Sequence, residues 1–169
     1  EAEQFLGNLD KSGANEPVLA SSMIPVYFDE EEGVWKKADD TNTNYKHKWY
    51  DYDNKMWANS VTVTESTRET YLEADLGTEI SMDDMLTMQV WVPRYKYKVW
   101  NYNSDGTKTS EAQEIEIVFE KDTNTTGEIE CTDTISGTDG AKSESCTINN
   151  QECTDDTCNN KYYTHPAFT

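Results

Sequence analysis

One stretch constrains the fold of this chain more than any other: Met88-Gln-Val-Trp-Val-Pro-Arg-Tyr-Lys-Tyr-Lys-Val-Trp100. Its second half alternates with a period of two. Tyr95, Tyr97 and Val99 share one face, while Arg94, Lys96, Lys98 and Trp100 share the other, which is what a strand in a sheet with one wetter side requires. Pro93 has no N–H to give to a ladder, so a bulge, an edge position or a strand break is expected there. Neighbouring segments continue the β pattern. Met23-Ile-Pro-Val-Tyr-Phe28, the acidic turn Asp29-Glu-Glu-Glu-Gly33 and Val34-Trp-Lys-Lys37 spell a hairpin. Trp49 to Asn54, then Met56-Trp-Ala58 with Val61-Thr-Val-Thr64, read as a second strand pair around an Asp-Asn-Lys turn. Glu114-Ile-Glu-Ile-Val-Phe-Glu120 alternates again and is expected to pair with the strand before the Asp105-Gly106 turn.

Helical signal is confined to one place. Ser66 and Glu69 have the spacing of a capping box, Thr67 to Asp75 lacks Gly and Pro, and Gly77 stops the run. Ser81-Met-Asp-Asp84 offers a cap for one further turn. The fold class that follows is mainly β, built of antiparallel hairpins in a sheet, with one or two short helices and a disulfide-braced loop region. Residues 1–22 read as an N-terminal arm or linker and 23–120 as a β-rich core. Residues 121–169 read as a cysteine-containing loop region with an aromatic C-terminal segment, packed on the core as one domain. The length of 169 residues suits one domain. A first residue Glu1 in place of Met suggests a processed or excised segment.

Charge narrows the partners. Thirty-three acidic residues face 14 basic ones, a formal net of -19, and this would repel phosphate backbones and anionic headgroups. Nucleic acid is therefore excluded as a partner, as is membrane contact by this segment, and no apolar run approaches the roughly 18 to 20 residues that span a bilayer. Five Trp and ten Tyr are more than a disordered acidic tail carries, and they suit a folded sheet or a contact surface.

All four cysteines, Cys131, Cys146, Cys153 and Cys158, lie in one polar window. An even number among Thr, Ser, Asp and Asn reads as two disulfides in an oxidising compartment, hence an extracellular or cell-surface location. Three pairings are open. Nearest-neighbour closure, Cys131 with Cys146 and Cys153 with Cys158, is favoured because it closes the smallest loops. A four-thiolate zinc site would need Cys-x-x-Cys pairs that the chain lacks.

The inventory for catalysis is thin, and the chain is read as a non-enzyme with no catalytic residues. Its two histidines are His47, placed between lysines like a solvated loop residue, and His165, which reads as a packed structural one. Asp83 and Asp84 read as helix-capping acids. No cofactor is expected except calcium, for which Asn101, Asn103 and Asp105 mimic the front of a binding loop. The closing Glu is absent, since Ala112 stands twelve places along. Asp51 and Asp53 form a slighter version of the same idea. Asn124-Thr-Thr126 fits a glycosylation sequon.

Across residues 20 to 100, Met23 to Asp29, Trp49 to Val63, Gly77 to Asp84 and Val90 to Tyr97 resemble large uncharacterised surface or prophage-type proteins of gut Firmicutes and their wall-less relatives. Trp91-Val-Pro-Arg-Tyr-Lys-Tyr97 and His165-Pro-Ala-Phe168 also look like the opening of phage-tail domains related to C-type lectins and the formylglycine-generating enzyme fold. That resemblance implies further strands after Phe168, whereas the sequence stops at Thr169. Such strands would belong to a longer chain or be supplied by a neighbour through strand pairing. The copper-binding cysteine pair of the enzyme has no counterpart here.

The functional expectation is an extracellular structural or adhesive module, a subunit or domain of a cell-surface appendage, filament or phage-like fibre. Its partner would be a protein, or itself by strand pairing. Trp91, Tyr95, Tyr97, Trp100, Tyr162, Tyr163 and Phe168 are the candidate contacts. The alternative is a secreted carbohydrate-binding module that stacks a surface glycan on Trp35, Trp49 and Trp57; a secreted hydrolase ranks third.

Overall fold

A computed structural model describes residues 7–98, 115–129, 146–148, 151–153 and 162–168. The expected hairpin is present as β1 (Ile24–Asp29) and β2 (Val34–Lys37), with Phe28 opposite Trp35 and Asp29 opposite Val34. Its turn is acidic for a reason. Asp29 Oδ1 accepts the Glu31 and Glu32 N–H groups at 3.0 and 3.1 Å, and Gly33 closes the turn at φ 71°. Lys36 offsets part of that charge, its Nζ lying 2.8 Å from both Asp29 and Glu32.

β3 (Ala58–Val63) and β4 (Met85–Trp91) complete an antiparallel sheet of order β2-β1-β3-β4. The second strand pair expected from sequence shrinks to a single bridge between Asp51 and Met56, because residues 58–63 instead run as one central strand between β1 and β4. Ile24 lies opposite Val61, and Val61 opposite Met88. One face therefore carries Ile24, Val26, Phe28, Val61, Met88 and Val90. Half of that face is covered. Ile24, Val26, Val61, Val63 and Ile80 form a buried cluster, with Trp35, Met85 and Tyr71 of helix α1 (Glu65–Glu73) packed against it.

The helix starts one residue before Ser66, so the spacing that suggested a capping box falls inside it, and Thr64 at the N-cap makes no side-chain cap bond. It ends at Glu73, ahead of Gly77, where Lys37 Nζ donates to the carbonyls of Leu72 and Ala74 at 2.6 and 2.7 Å. Ser81 caps the turn Met82–Asp84 by accepting from Asp83 N–H, as its spacing predicts.

Residues 39–44 fold around two buried side chains. Asp39 accepts from Thr41, Thr43 and Asn44 N–H and from two threonine hydroxyls. Burial pushes its pKa up, but these donors outweigh it and hold the carboxyl below its ordinary value. Asn42, at φ 51°, accepts from Trp49 and Tyr50 N–H and donates to Asn8 Oδ1 and Tyr50 O. The segment read as an arm is thereby tied in from Asn8 onward: Leu9 N–H donates to Asn42 O, and Asp10 accepts Tyr52 N–H at 2.7 Å.

The chain divides into two compact units, the first ending at Pro93 and the second beginning at Arg94. This places a boundary inside the segment read as one core over 23–120. Pro93 marks the break, β4 ending at Trp91 and β5 (Tyr95–Lys98) starting two residues beyond it. β5 pairs with β6 (Ile117–Phe119), Tyr95 opposite Phe119, as the alternating patterns imply. β7 (Glu128–Ile129) follows. A separate hairpin joins β8 (Cys146–Ile148) to β9 (Gln151–Cys153), and β10 (Tyr162–Thr164) then inserts between β5 and β7 in the order β6-β5-β10-β7. Among the described residues the fold is mainly antiparallel β with one α-helix; β10 with β7 is a parallel pair.

Candidate binding surface

The two edges of the first sheet differ. Along β2, residues 77–80 cover the outer backbone: Lys37 N–H donates to Thr78 O, Gly77 N–H to Lys37 O and Ile80 N–H to Trp35 O, all at 2.8 Å. Along β4, no strand among the described residues pairs with the outer side. Leu86, Met88, Val90 and Val92 are nonetheless apolar and 63%, 47%, 50% and 46% exposed. An open edge with exposed aliphatics is what strand-adding partners use and what isolated proteins usually blunt with charge.

Beside this edge lies a groove of ≈ 720 Å³ formed by Phe28, Met56, Trp57, Val90 and Val92, with Glu30 and Asn59 as polar wall. The turn before Trp57 aims it there. Asp51 accepts Asn54 N–H and binds Lys48 Nζ at 2.8 Å, Lys55 takes φ 59°, and Met56 returns to bridge Asp51. Tyr52 packs edge-on against the Trp57 ring at 5.7 Å. Of the three tryptophans offered as stacking faces, only Trp57 stays open, at 39% exposure. Trp49 is buried, its Nε1 donating to Asn59 O at 2.7 Å, and Trp35 is packed against Phe28 and the core.

Asp10, Asp51 and Asp53 bring carboxylate oxygens within 4.8 Å of one another. Lys48 Nζ and Asn54 Nδ2 bind Asp51 Oδ2, and the Ser12 hydroxyl and Tyr52 N–H donate to Asp10. Burial raises the Asp51 pKa, but the Lys48 and Asn54 contacts outweigh it and hold the carboxyl below its ordinary value. Asn101, Asn103 and Asp105 lie outside the described residues.

In the second unit the candidate contacts Tyr95, Tyr97, Tyr162 and Phe168 are half-buried. Tyr95, Tyr97, His165 and Phe168 form a ring cluster with centroids 5.0 to 6.2 Å apart. Tyr163 is buried at 1% exposure and so serves packing. Tyr162 is half-buried, its hydroxyl donating to Glu116 and its ring under Lys96. Trp91 is half-buried at the end of β4, and Trp100 lies outside the described residues.

Beneath the rings sits a group that the sequence reading missed. Arg94, which alternation placed on the wetter face, is buried, and its Nε lies 3.0 Å from Oε2 of the fully buried Glu120. That contact is ionic and poorly directed, because Nε already donates to Asn124 O; Nη1 and Nη2 donate to Phe168 O and Thr125 Oγ1. Glu120 Oε1 accepts from Thr126 N–H and hydroxyl, Gly127 N–H and Thr164 Oγ1. Burial drives the Glu120 pKa up, and these donors more than reverse it, leaving the carboxyl below its ordinary value. Gly127 is required for space: a Cβ there would stand 2.6 Å from Thr164 N. The signal in the sequence is the threonine run 123–126 ending at that glycine.

His47 is half-buried; its Nδ1 lies 3.0 Å from Tyr27 Oη and its ring packs on Gly77, where a Cβ would come within 2.4 Å. His165 Nδ1 accepts Ala167 N–H. No helix among the described residues is long and apolar enough to cross a membrane. Comparison with protein-family models, curated proteins and solved structures returns no match to this chain.

Proposed function

We propose that this chain is an extracellular structural or adhesive module of a surface appendage, filament or phage-like fibre, and that it accepts a strand of a protein partner along β4. The observation that carries the reading is the contrast between the two sheet edges, one covered by residues 77–80 and one left open and aliphatic. A net charge of -19 sets copies of the chain against each other, so the favoured strand is neutral or basic. Backbone pairing would supply affinity, and Leu86, Met88 and Val90 would select side chains on alternate positions. The aromatic cluster of the second unit belongs to its own core in this reading.

A second reading, a glycan bound in the groove, is favoured by the exposed Trp57 ring beside Asn59 and Glu30. One set of measurements separates the two. A short peptide alternating Val with Lys should bind the full chain and perturb Trp57 fluorescence, and the Met88→Lys, Val90→Lys double variant should lose that binding. Sedimentation of the chain alone reports whether a second copy can take the same place. A monomer indifferent to the peptide, with glycan-array signals abolished by Trp57→Ala, would overturn strand addition in favour of the glycan.

A further inference from the structure

The cysteine-rich segment holds a hairpin whose register selects one of its three disulfide pairings. β8 and β9 set Ile148 opposite Gln151, Thr147 opposite Glu152 and Cys146 opposite Cys153. In the sequence two residues, Asn149 and Asn150, separate Ile148 from Gln151, the spacing of the commonest hairpins. Directly opposed residues of an antiparallel pair have Cα atoms about 4.5 to 5.5 Å apart, inside the roughly 4.4 to 6.8 Å that a disulfide spans.

The need for such a bond is physical. β8 and β9 form a sheet of two three-residue strands, and among the described residues no third strand joins it. A two-stranded hairpin of that length is marginal in water without a packed face or a covalent brace. The sequence argument for Cys153 with Cys158 rested on the smallest loop, but loop entropy favours the shorter ring only slightly. Opposed positions in a formed ladder outweigh that small preference.

We propose that Cys146 and Cys153 form a disulfide across the β8–β9 hairpin; of the four cysteines this leaves Cys131 and Cys158 as the second pair. The bond forms by exchange with the disulfide of a thiol oxidoreductase: the two thiols give up two protons and two electrons, one S–S bond forms in the chain, and the donor disulfide becomes two thiols. The inference rests on the oxidising-compartment part of the reading above, and is independent of strand addition at β4.

Non-reducing peptide mapping of the full chain, alkylated before digestion, tests it. Cleavage after Glu130, Glu144 and Glu152 and after Lys142 and Lys161 separates residues 131–142, 145–152 and 153–161. The expected result is that all three stay linked until reduction. A further cut before Asp155 and Asp156 should then leave 145–152 bound to the Cys153 fragment, and 131–132 bound to the Cys158 fragment. Release of 153–161 with an internal bridge, or 145–152 bound to the Cys158 fragment, overturns the register argument while keeping the oxidising compartment. Four alkylated thiols in protein from its native source overturn both. As a second variant, Cys131→Ser with Cys158→Ser should show no free thiol when denatured, and two free thiols would overturn the proposal.

Discussion

The two units solve the same problem, a four-stranded sheet needing an interior, with opposite chemistry. The first buries Ile24, Val26, Val61, Val63 and Ile80 on one face. The second buries Arg94, Glu120 and Thr164 beneath a layer of rings. Aliphatic burial is non-directional and tolerates loss gradually, whereas a buried ion pair depends on every partner being in place. The difference teaches where each unit is vulnerable. Both units leave aliphatic side chains exposed on an edge strand, Met88 and Val90 on β4 and Ile117 and Val118 on β6.

The most damaging single change should therefore fall in the second unit. Glu120→Ala strands the Arg94 guanidinium and four donors that now converge on Oε1. Breaking a buried pair of this kind costs about 3 to 5 kcal/mol. Hydrogen exchange read by segment should show residues 94–98, 117–120 and 162–164 losing protection while 24–29 and 58–63 keep theirs. Equal loss in both would mean that the units do not fold separately. Val61→Ala is the reciprocal experiment. It removes two methyl groups from the centre of the aliphatic cluster and should cost about 2 kcal/mol, from roughly 0.8 per buried CH₂ plus a cavity term. Protection should drop in the first unit and leave the second intact.

Acid should act on both units through different residues. Asp39 and Asp51 in the first, and Glu120 in the second, have folded pKa values below the ordinary 3.8 and 4.5. Depressed carboxylates contribute stability that is fully present above the unfolded pKa and is lost as pH falls through the folded one. Urea midpoints should accordingly stay level from neutral pH down to about 5 and fall below about 4. Glu120→Gln should flatten that acid limb for the second unit alone. A limb unchanged in the variant would mean that Glu120 contributes no linkage.

The aliphatic half of this contrast was legible in the sequence and the ionic half was not. An apolar run, an acidic turn and another run specify the β1–β2 hairpin locally, and alternation specifies both β5 and its pairing with β6. Pro93 announces a break because its ring acts on its own backbone. Arg94 looked wet because alternation assigns faces by parity and knows nothing of a partner 26 positions away that satisfies the charge. The same limit hid the state of the tryptophans. Trp49 and Trp57 sit in similar aromatic, acidic surroundings, and only the fold of residues 39–44 and their tie to Asn8 decides that one is interior and the other lines a groove.

The smallest stability effect belongs to the surface proposed to matter most for function. Met88 and Val90 are about half exposed on an edge strand that no further strand among the described residues covers. Lysine at either position keeps the β3–β4 ladder and places its charge in water, so each change should shift stability by no more than about 0.5 kcal/mol. The same charges should abolish strand addition, as edge lysines do in sheets protected against pairing. A double variant that binds the alternating peptide as well as the parent would remove β4 as the docking edge. A variant that unfolds would show that these side chains support the sheet, and the division between a stabilising face and a binding edge would fall with it.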